Sequence, residues 1–213
     1  MGTMTGELAP EAVPDVGAFT ARVLRFDPAA LIRFRPTPSG NTALWARLPF
    51  GVVVTRRVGG ELADDVTVRA SELLAALEGG RTSLPRRRDA EWRFALPPHA
   101  GRVLDEVPSG ELRRISAAAA ETLRAASGRG VGERRLRDEL LDHVAMIVTA
   151  AADRAEVPVR LVQAVVRMGF LDRDDATPVR IRLAAGWVGA EATFGTAWWR
   201  PASLTVLSAS VHR

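Results

Sequence analysis

The sequence predicts an α+β fold, with antiparallel strands in the N-terminal part and at the C-terminus and about four helices between them. Three observations carry this. Ile32 and Phe34 alternate with Arg33 and Arg35, and two apolar runs, 42–48 and 51–57, follow across turn residues, so the N-terminal part reads as a β-meander. The stretch from Ser109 to Phe170 holds apolar residues at helical spacing. Near the end, Val179, Ile181 and Leu183 alternate with Arg180 and Arg182, the period of a half-buried strand. Strands, then helices, then strands fit α+β better than a βαβ series.

The elements follow in order. Residues 1–15 carry Glu7, Glu11 and Asp15 and no basic residue, which predicts a disordered acidic lead and is the wrong sign for a signal peptide. From 19 to 35 the pattern is mixed, with a helix turn at Phe19, Val23 and Phe26. Thr37 to Asn41 is a turn by composition. The Val52-Val53-Val54 run predicts a strand covered on both faces. Val66, Ala70, Leu73, Leu74 and Leu77 share a helix face, so a helix capped by Thr67 is expected. It stops at Gly79-Gly80. Residues 81–101 read as a loop with a short strand at 91–95. They divide the chain into an N-terminal part, 16–100, and a C-terminal part, 101–213, or lie inside one continuous domain, 16–200. The second part predicts a strand over 102–107, a helix of about 17 residues from Ser109, and a helix over 133–142. A strand over 144–149, a turn from Ala150 to Glu156 and a helix led by Pro158 follow. Two strands turned at Ala185-Gly186 come next, then a strand or loose tail over 204–211.

Composition closes several chemistries. The chain has 213 residues, no cysteine, no tyrosine and no lysine, so all 29 basic residues are arginines. Schiff-base, P-loop, thiolate and phenolic chemistry are therefore excluded. No cofactor is implied. The pI of 11.1 reflects arginine, which stays charged to very high pH. The net charge is only +4, spread as −2 over 1–30, +3 over 31–109, +2 over 110–171 and +1 over 172–213. Nucleic-acid modules usually concentrate their excess. No apolar run approaches the ~20 residues of a membrane span, and a cytoplasmic protein is expected.

The candidate sites are few. Gly128, Gly130 and Gly132 precede a helix, but the glycine spacing and the preceding helix do not fit a dinucleotide loop. Asp172 to Asp175 lacks the glycine and glutamate of a calcium loop. His143 stands beside Asp142 and four residues after Glu139, a pair suited to acid–base work or an anionic ligand. No nucleophile elbow accompanies it, and His99, His143 and His212 are too far apart for a local metal motif. No catalytic and no metal residue is assigned. Arg160, Gln163 and Arg167 lie on one arc of the 159–168 helix, opposite its apolar face, and could meet a partner or phosphates. Arg180 and Arg182 would form the wing of a winged helix, although about 16 residues separate the two helices where that motif allows three or four. Trp198 and Trp199, adjacent on a strand, must point to opposite faces. One suits the core; the other must be exposed, covered by the 201–213 tail, or buried in an interface.

The stretches Val157–Leu171, Gly186-Trp187-Val188-Gly189 and Trp198-Trp199-Arg200 resemble segments of uncharacterised proteins of high-GC actinobacteria. The resemblance extends over roughly residues 20–200 and implies no activity, ligand or partner. The arginine-for-lysine choice agrees with such a genome. From the residues alone, the expectation leans away from catalysis, toward a macromolecule-contacting protein whose partner is another protein or a second copy, as a homodimer through the Trp-bearing C-terminal strands. Nucleic-acid binding through scattered arginines is the second reading. A small anionic-ligand binder or enzyme around His143 is the third.

Overall fold

The computed structural model describes residues 6–98, 101–126 and 133–201. They form the α+β architecture the patterning predicts: one eight-stranded antiparallel sheet, a two-stranded ribbon and five α-helices. The meander is β1 (Leu31–Pro36), β2 (Thr42–Arg47) and β3 (Val53–Val58). Ile32 and Phe34 are fully buried and Arg33 and Arg35 are not, as the alternation requires. Val52, Val53 and Val54 are all buried because the sheet is covered on both faces.

The four C-terminal strands are β5 (Arg102–Pro108), β8 (Pro178–Ala184), β9 (Trp187–Ala192) and β10 (Gly195–Trp199). Ala185 and Gly186 both have positive φ, 44° and 80°, which matches a two-residue hairpin to the strand twist. The ribbon is β6 (Val144–Ala150) with β7 (Asp153–Pro158), where a turn was expected from 150 to 156.

With β4 (Val66–Arg69) at one end, the order across the large sheet is β4-β1-β2-β3-β10-β9-β8-β5. Each half of the chain supplies four neighbouring strands. The halves meet at a single seam, β3 against β10, with Thr196 opposite Thr55, Ala197 opposite Val54 and Trp198 opposite Val53.

One sheet face carries the main core. Val16, Phe19 and Val23 of α1 (Val13–Leu24), Leu73 of α2 (Ala70–Glu78) and Leu161 and Val165 of α5 (Val159–Arg167) pack there against Phe34, Val54, Ile181 and Ala197. Phe19 and Phe170 stack across the two halves with ring centroids 6.4 Å apart. Helix α3 (Ser109–Ala126) lies on α5 and buries Leu112. Helix α4 spans Glu133–Asp142.

Three sequence expectations are corrected. The acidic lead joins the fold from Gly6 onward. Leu8 and Ala12 are buried, and Leu8 N–H donates to Thr82 O while Leu84 N–H donates to Gly6 O. Their spacing with Val16 gives this stretch an apolar stripe that outweighs its charges. Residues 66–69 are a strand, β4 (Val66–Arg69), and the helix begins only at Ala70. Val66 and Val68 satisfy a period of two as well as Val66 and Ala70 satisfy a period of four, and pairing with β1 decides. Residues 91–95 form no strand. Asp89–Glu91 is a single 3₁₀ turn, and Trp92 and Phe94 lie across the second face of the sheet.

This segment also closes the β4 edge. Thr67 N–H donates to Asp89 Oδ1 at 2.7 Å, and Arg88 N–H donates to Thr67 O. Burial works to raise the Asp89 carboxyl. The Thr67 bond, with Arg87 and Arg33 nearby, outweighs it and holds the group below the ordinary aspartate range.

Candidate functional site

The second face of the sheet has its own small core. Trp45, Trp92, Trp187 and Trp198 are buried there with Ala43, Val53 and Ala184, so four of the five tryptophans share one cluster. Strand register lays the polar residues of this face in rows. One row runs Arg33, Trp45, Thr55, Thr196, Glu191 and Arg180 across β1, β2, β3, β10, β9 and β8. The row on one side brings Ala43 against Arg57. The row on the other holds Val53, Trp198, Gly189 and Arg182.

These rows form the floor of a hollow of about 740 Å³, straddling the seam between the halves. Small residues make the room. Ala43 faces Arg57, and Gly189 lets the Trp198 indole lie flat over β9, where a Cβ would sit 2.6 Å from the ring. Phe194, 42% exposed in the β9–β10 turn, stands at its wall.

Charge in the hollow is unevenly committed. Arg182 is held by Glu191 at 2.5 Å and by Gly101 O at 2.7 Å. Arg56 is held by Asp15 at 2.6 Å. Arg57, exposed beside them, has no ion-pair partner among the described residues. Two floor atoms, Trp45 Nε1 and Thr55 Oγ1, are buried and lack a hydrogen-bond partner among the described residues. They belong to residues directly opposite each other in β2 and β3.

The structure distributes the residues singled out from sequence. Trp198 lines the hollow from the small core, while Trp199 points to the other face and packs, half-buried, against the main core. Both lie on β10, an interior strand with β3 and β9 on its two sides. β10 therefore offers no free strand edge to a second copy. Arg182 reaches the hollow, whereas Arg180 pairs with Glu106 at 3.0 Å. Arg160 donates to Phe50 O at 2.6 Å and to Asp142, fastening α5 to the β2–β3 turn and to the end of α4. Gln163 donates to Ser116 O, joining α5 to α3. Arg167 lies over the Phe26 ring at 4.5 Å. The three residues of the α5 arc thus serve three separate contacts.

His143 is exposed at the junction of α4 and β6, away from the hollow. Arg113 ties the 172–175 loop down through Asp175 and the Asp172 carbonyl. The Gly128–Gly132 stretch, His99, His212 and the 204–211 segment lie outside the described residues.

The sequence reading missed Trp45, Thr55 and Arg57. One signal for them existed: in a strand with Val54 facing the main core, Thr55 and Val53 must face the other way. The Val52–Val54 run masked that alternation.

Two family models match the chain. One, described as Domain of unknown function (DUF8010), matches residues 7–93, and another, described as Domain of unknown function (DUF8185), matches residues 96–204. No curated protein matches. Among solved structures, the chain is similar to DNA polymerase III β of Caulobacter crescentus, with 11% identity, a TM-score of 0.55, and coverage of 89% of this chain and 62% of that one. It is also similar to the DNA polymerase sliding clamp of Pseudomonas aeruginosa, with 13% identity, a TM-score of 0.52, and coverage of 88% and 62%. The DNA polymerase β subunit of Streptococcus pyogenes gives 11% identity, a TM-score of 0.52, and 89% and 62%. The chain thus spans about 62% of the length of these clamps, and the likeness is one of fold.

Proposed function

As this chain belongs to the family described as Domain of unknown function (DUF8185) and has a sliding-clamp-like fold, we propose that it is a non-enzymatic, macromolecule-contacting protein that pairs with a second copy through the outer edge of β5. The supporting observation is the asymmetry of the sheet's two ends. The β4 edge is closed by Arg88 and Asp89. The β5 strand pairs with β8 on one side, and no described strand pairs with its other side.

An open strand edge is a template for another strand. Read antiparallel about Leu104, two copies related by a two-fold axis would continue the sheet, while Arg102 and Glu106 stay paired with Asp153 and Arg180 of their own chain. Val103 is 38% exposed there, and Ile147 is 52% exposed on β6, which neighbours β5. The bulge at Leu104 and the charges beside it limit indiscriminate pairing. Action in the cytoplasm and an origin in a high-GC genome are part of this reading. No helix among the described residues is long and apolar enough to cross a membrane.

Sedimentation velocity on the full chain tests the pairing. A dimer is expected in the micromolar range. Val103→Pro should weaken it at least about tenfold, because proline has no N–H to donate to an added strand. A chain monomeric at hundreds of micromolar, or a dimer that Val103→Pro leaves as tight as the parent, removes this reading.

A second reading, contact with nucleic acid, has a specific observation behind it. On the helical face, the ends of α1 and α5 adjoin. The Arg22 guanidinium sits at Gly169, and Arg167 covers Phe26. Arg22, Arg25 and Arg167 have no ion-pair partner among the described residues. Binding through them should weaken with a log–log salt slope of about −0.9 per phosphate contacted on duplex DNA. The triple alanine variant should flatten the slope by about two to three. No binding to duplex or single strands at low salt excludes it.

A further inference from the structure

We propose that the hollow on the second sheet face binds a small ligand with an anionic group and a flat apolar body, of the class of aromatic carboxylates. This goes beyond the proposed function and does not depend on it, because the hollow lies on the seam of the sheet and the pairing edge at its end.

Size is the first argument. About 740 Å³ is within the range of small-molecule sites, which join apolar walls to a few placed polar groups.

The polar groups select the charge. Arg57 is the one lining guanidinium without an ion-pair partner among the described residues, since Arg56 and Arg182 are engaged by Asp15 and Glu191. Thr55 is two residues before it on β3, on the same face. Trp45 Nε1 and Thr55 Oγ1 are buried on the floor without partners among the described residues, and Trp45 as a whole is 7% exposed. An indole N–H only donates and a hydroxyl can donate. The Trp45 N–H and the Arg57 guanidinium are donors and the Thr55 hydroxyl can be one, so an acceptor with negative charge satisfies all three. A carboxylate suits a guanidinium, which can grip both of its oxygens.

The walls select the body. Trp198, Pro38 and Phe194, whose ring also carries the Arg56 guanidinium at 5.9 Å, give the hollow an apolar lining beside Arg57. Flat rings stack on such surfaces in offset or edge-on arrangements. The register explains why the pieces coincide. Trp45, Thr55 and Arg57 come from the N-terminal half, and Trp198 and Phe194 from the C-terminal half. The site exists only where β3 meets β10.

The test uses 2-naphthoate and its neutral analogue 2-naphthamide on the full chain, with titration calorimetry and the five indole N–H resonances in ¹H–¹⁵N spectra. The expected result is saturable one-to-one binding of 2-naphthoate, with a shift of the Trp45 indole signal, assigned by Trp45→Phe. Arg57→Ala should weaken the carboxylate at least about tenfold and the amide less than twofold, and Arg57→Lys should recover part of the loss. Phe194→Ala should weaken both ligands alike. Arg57 and Phe194 are exposed, so these variants keep the fold, which their melting temperatures verify. Absence of naphthoate binding at millimolar concentration overturns the proposal. So does binding that Arg57→Ala leaves unchanged, or equal affinity for naphthoate and naphthamide.

Discussion

Replacing Trp198 with alanine is expected to cost about 3–5 kcal/mol and to lower the melting temperature by roughly 6–20 °C. Trp198 is only 6% exposed, and its indole lies over Gly189 and close to Gly101. Truncation removes the ring that joins β10 to β9 on the second face and leaves a void beside Val53 and Trp187. Trp199, half-buried against the main core, should cost less, about 1–2 kcal/mol on truncation. The pair of measurements separates a core role from an interface role. A tryptophan that anchored a partner would change the oligomer and spare the thermal stability of the monomer. A melting temperature for Trp198→Ala within 2 °C of the parent would refute the core assignment.

The second large effect is expected at Gly195→Ala, at about 3 kcal/mol, the upper end of what overpacking usually costs. A Cβ on Gly195 would lie 2.6 Å from Phe170 Cε1 and 2.7 Å from the Thr55 carbonyl oxygen. Neither neighbour can yield cheaply. Phe170 is fully buried and stacked on Phe19, and the carbonyl belongs to the backbone of β3. The extra methyl would therefore push β10 away from β3 at the only seam joining the two halves of the sheet. Urea denaturation measures the loss. A Phe170→Leu background should relieve only part of it, since the carbonyl contact persists. A loss below about 1 kcal/mol would show that the seam can shift and would contradict the rigid joint described here.

Both effects sit on the seam, and the seam is what the sequence could not reveal. The alternation at 179–183 and the apolar spacing of 109–126 and 159–168 are local, so β8, α3 and α5 were legible. The 66–70 stretch failed because Val66, Val68 and Ala70 fit two periods at once. Only the partner strand β1 chooses between them. The lead at 6–15 failed for a related reason. Its three carboxylates dominate the composition, while the burial of Leu8 and Ala12 depends on contact with residues about 75 positions away.

The candidate site was less legible than the fold. Arg182 and Trp198 were singled out from sequence and do line the hollow. They were chosen for a hairpin wing and for an exposed tryptophan, not for what surrounds them. Arg160, Gln163 and Arg167 share a helix arc, as the 100° step requires, yet each is drawn to a different neighbour: Phe50 O, Ser116 O and the Phe26 ring. A long polar side chain on a helix has several reachable partners, and periodicity does not rank them.

The sequence by itself determined the fold class, the strand character of the meander and of 178–184, and the closure of lysine, cysteine and tyrosine chemistry. These depend on residue identity and on spacings of two to four positions. The tertiary structure alone decided which strands are neighbours. It placed β10 beside β3, set Thr55 opposite both Trp45 and Thr196, left Arg57 without an acid among the described residues, and opened one end of the sheet while closing the other. The physical reason is that strand pairing satisfies backbone hydrogen bonds that are identical for every residue type. The choice of partner is made by the packing of two whole faces, a sum over contacts from both halves that no local window contains.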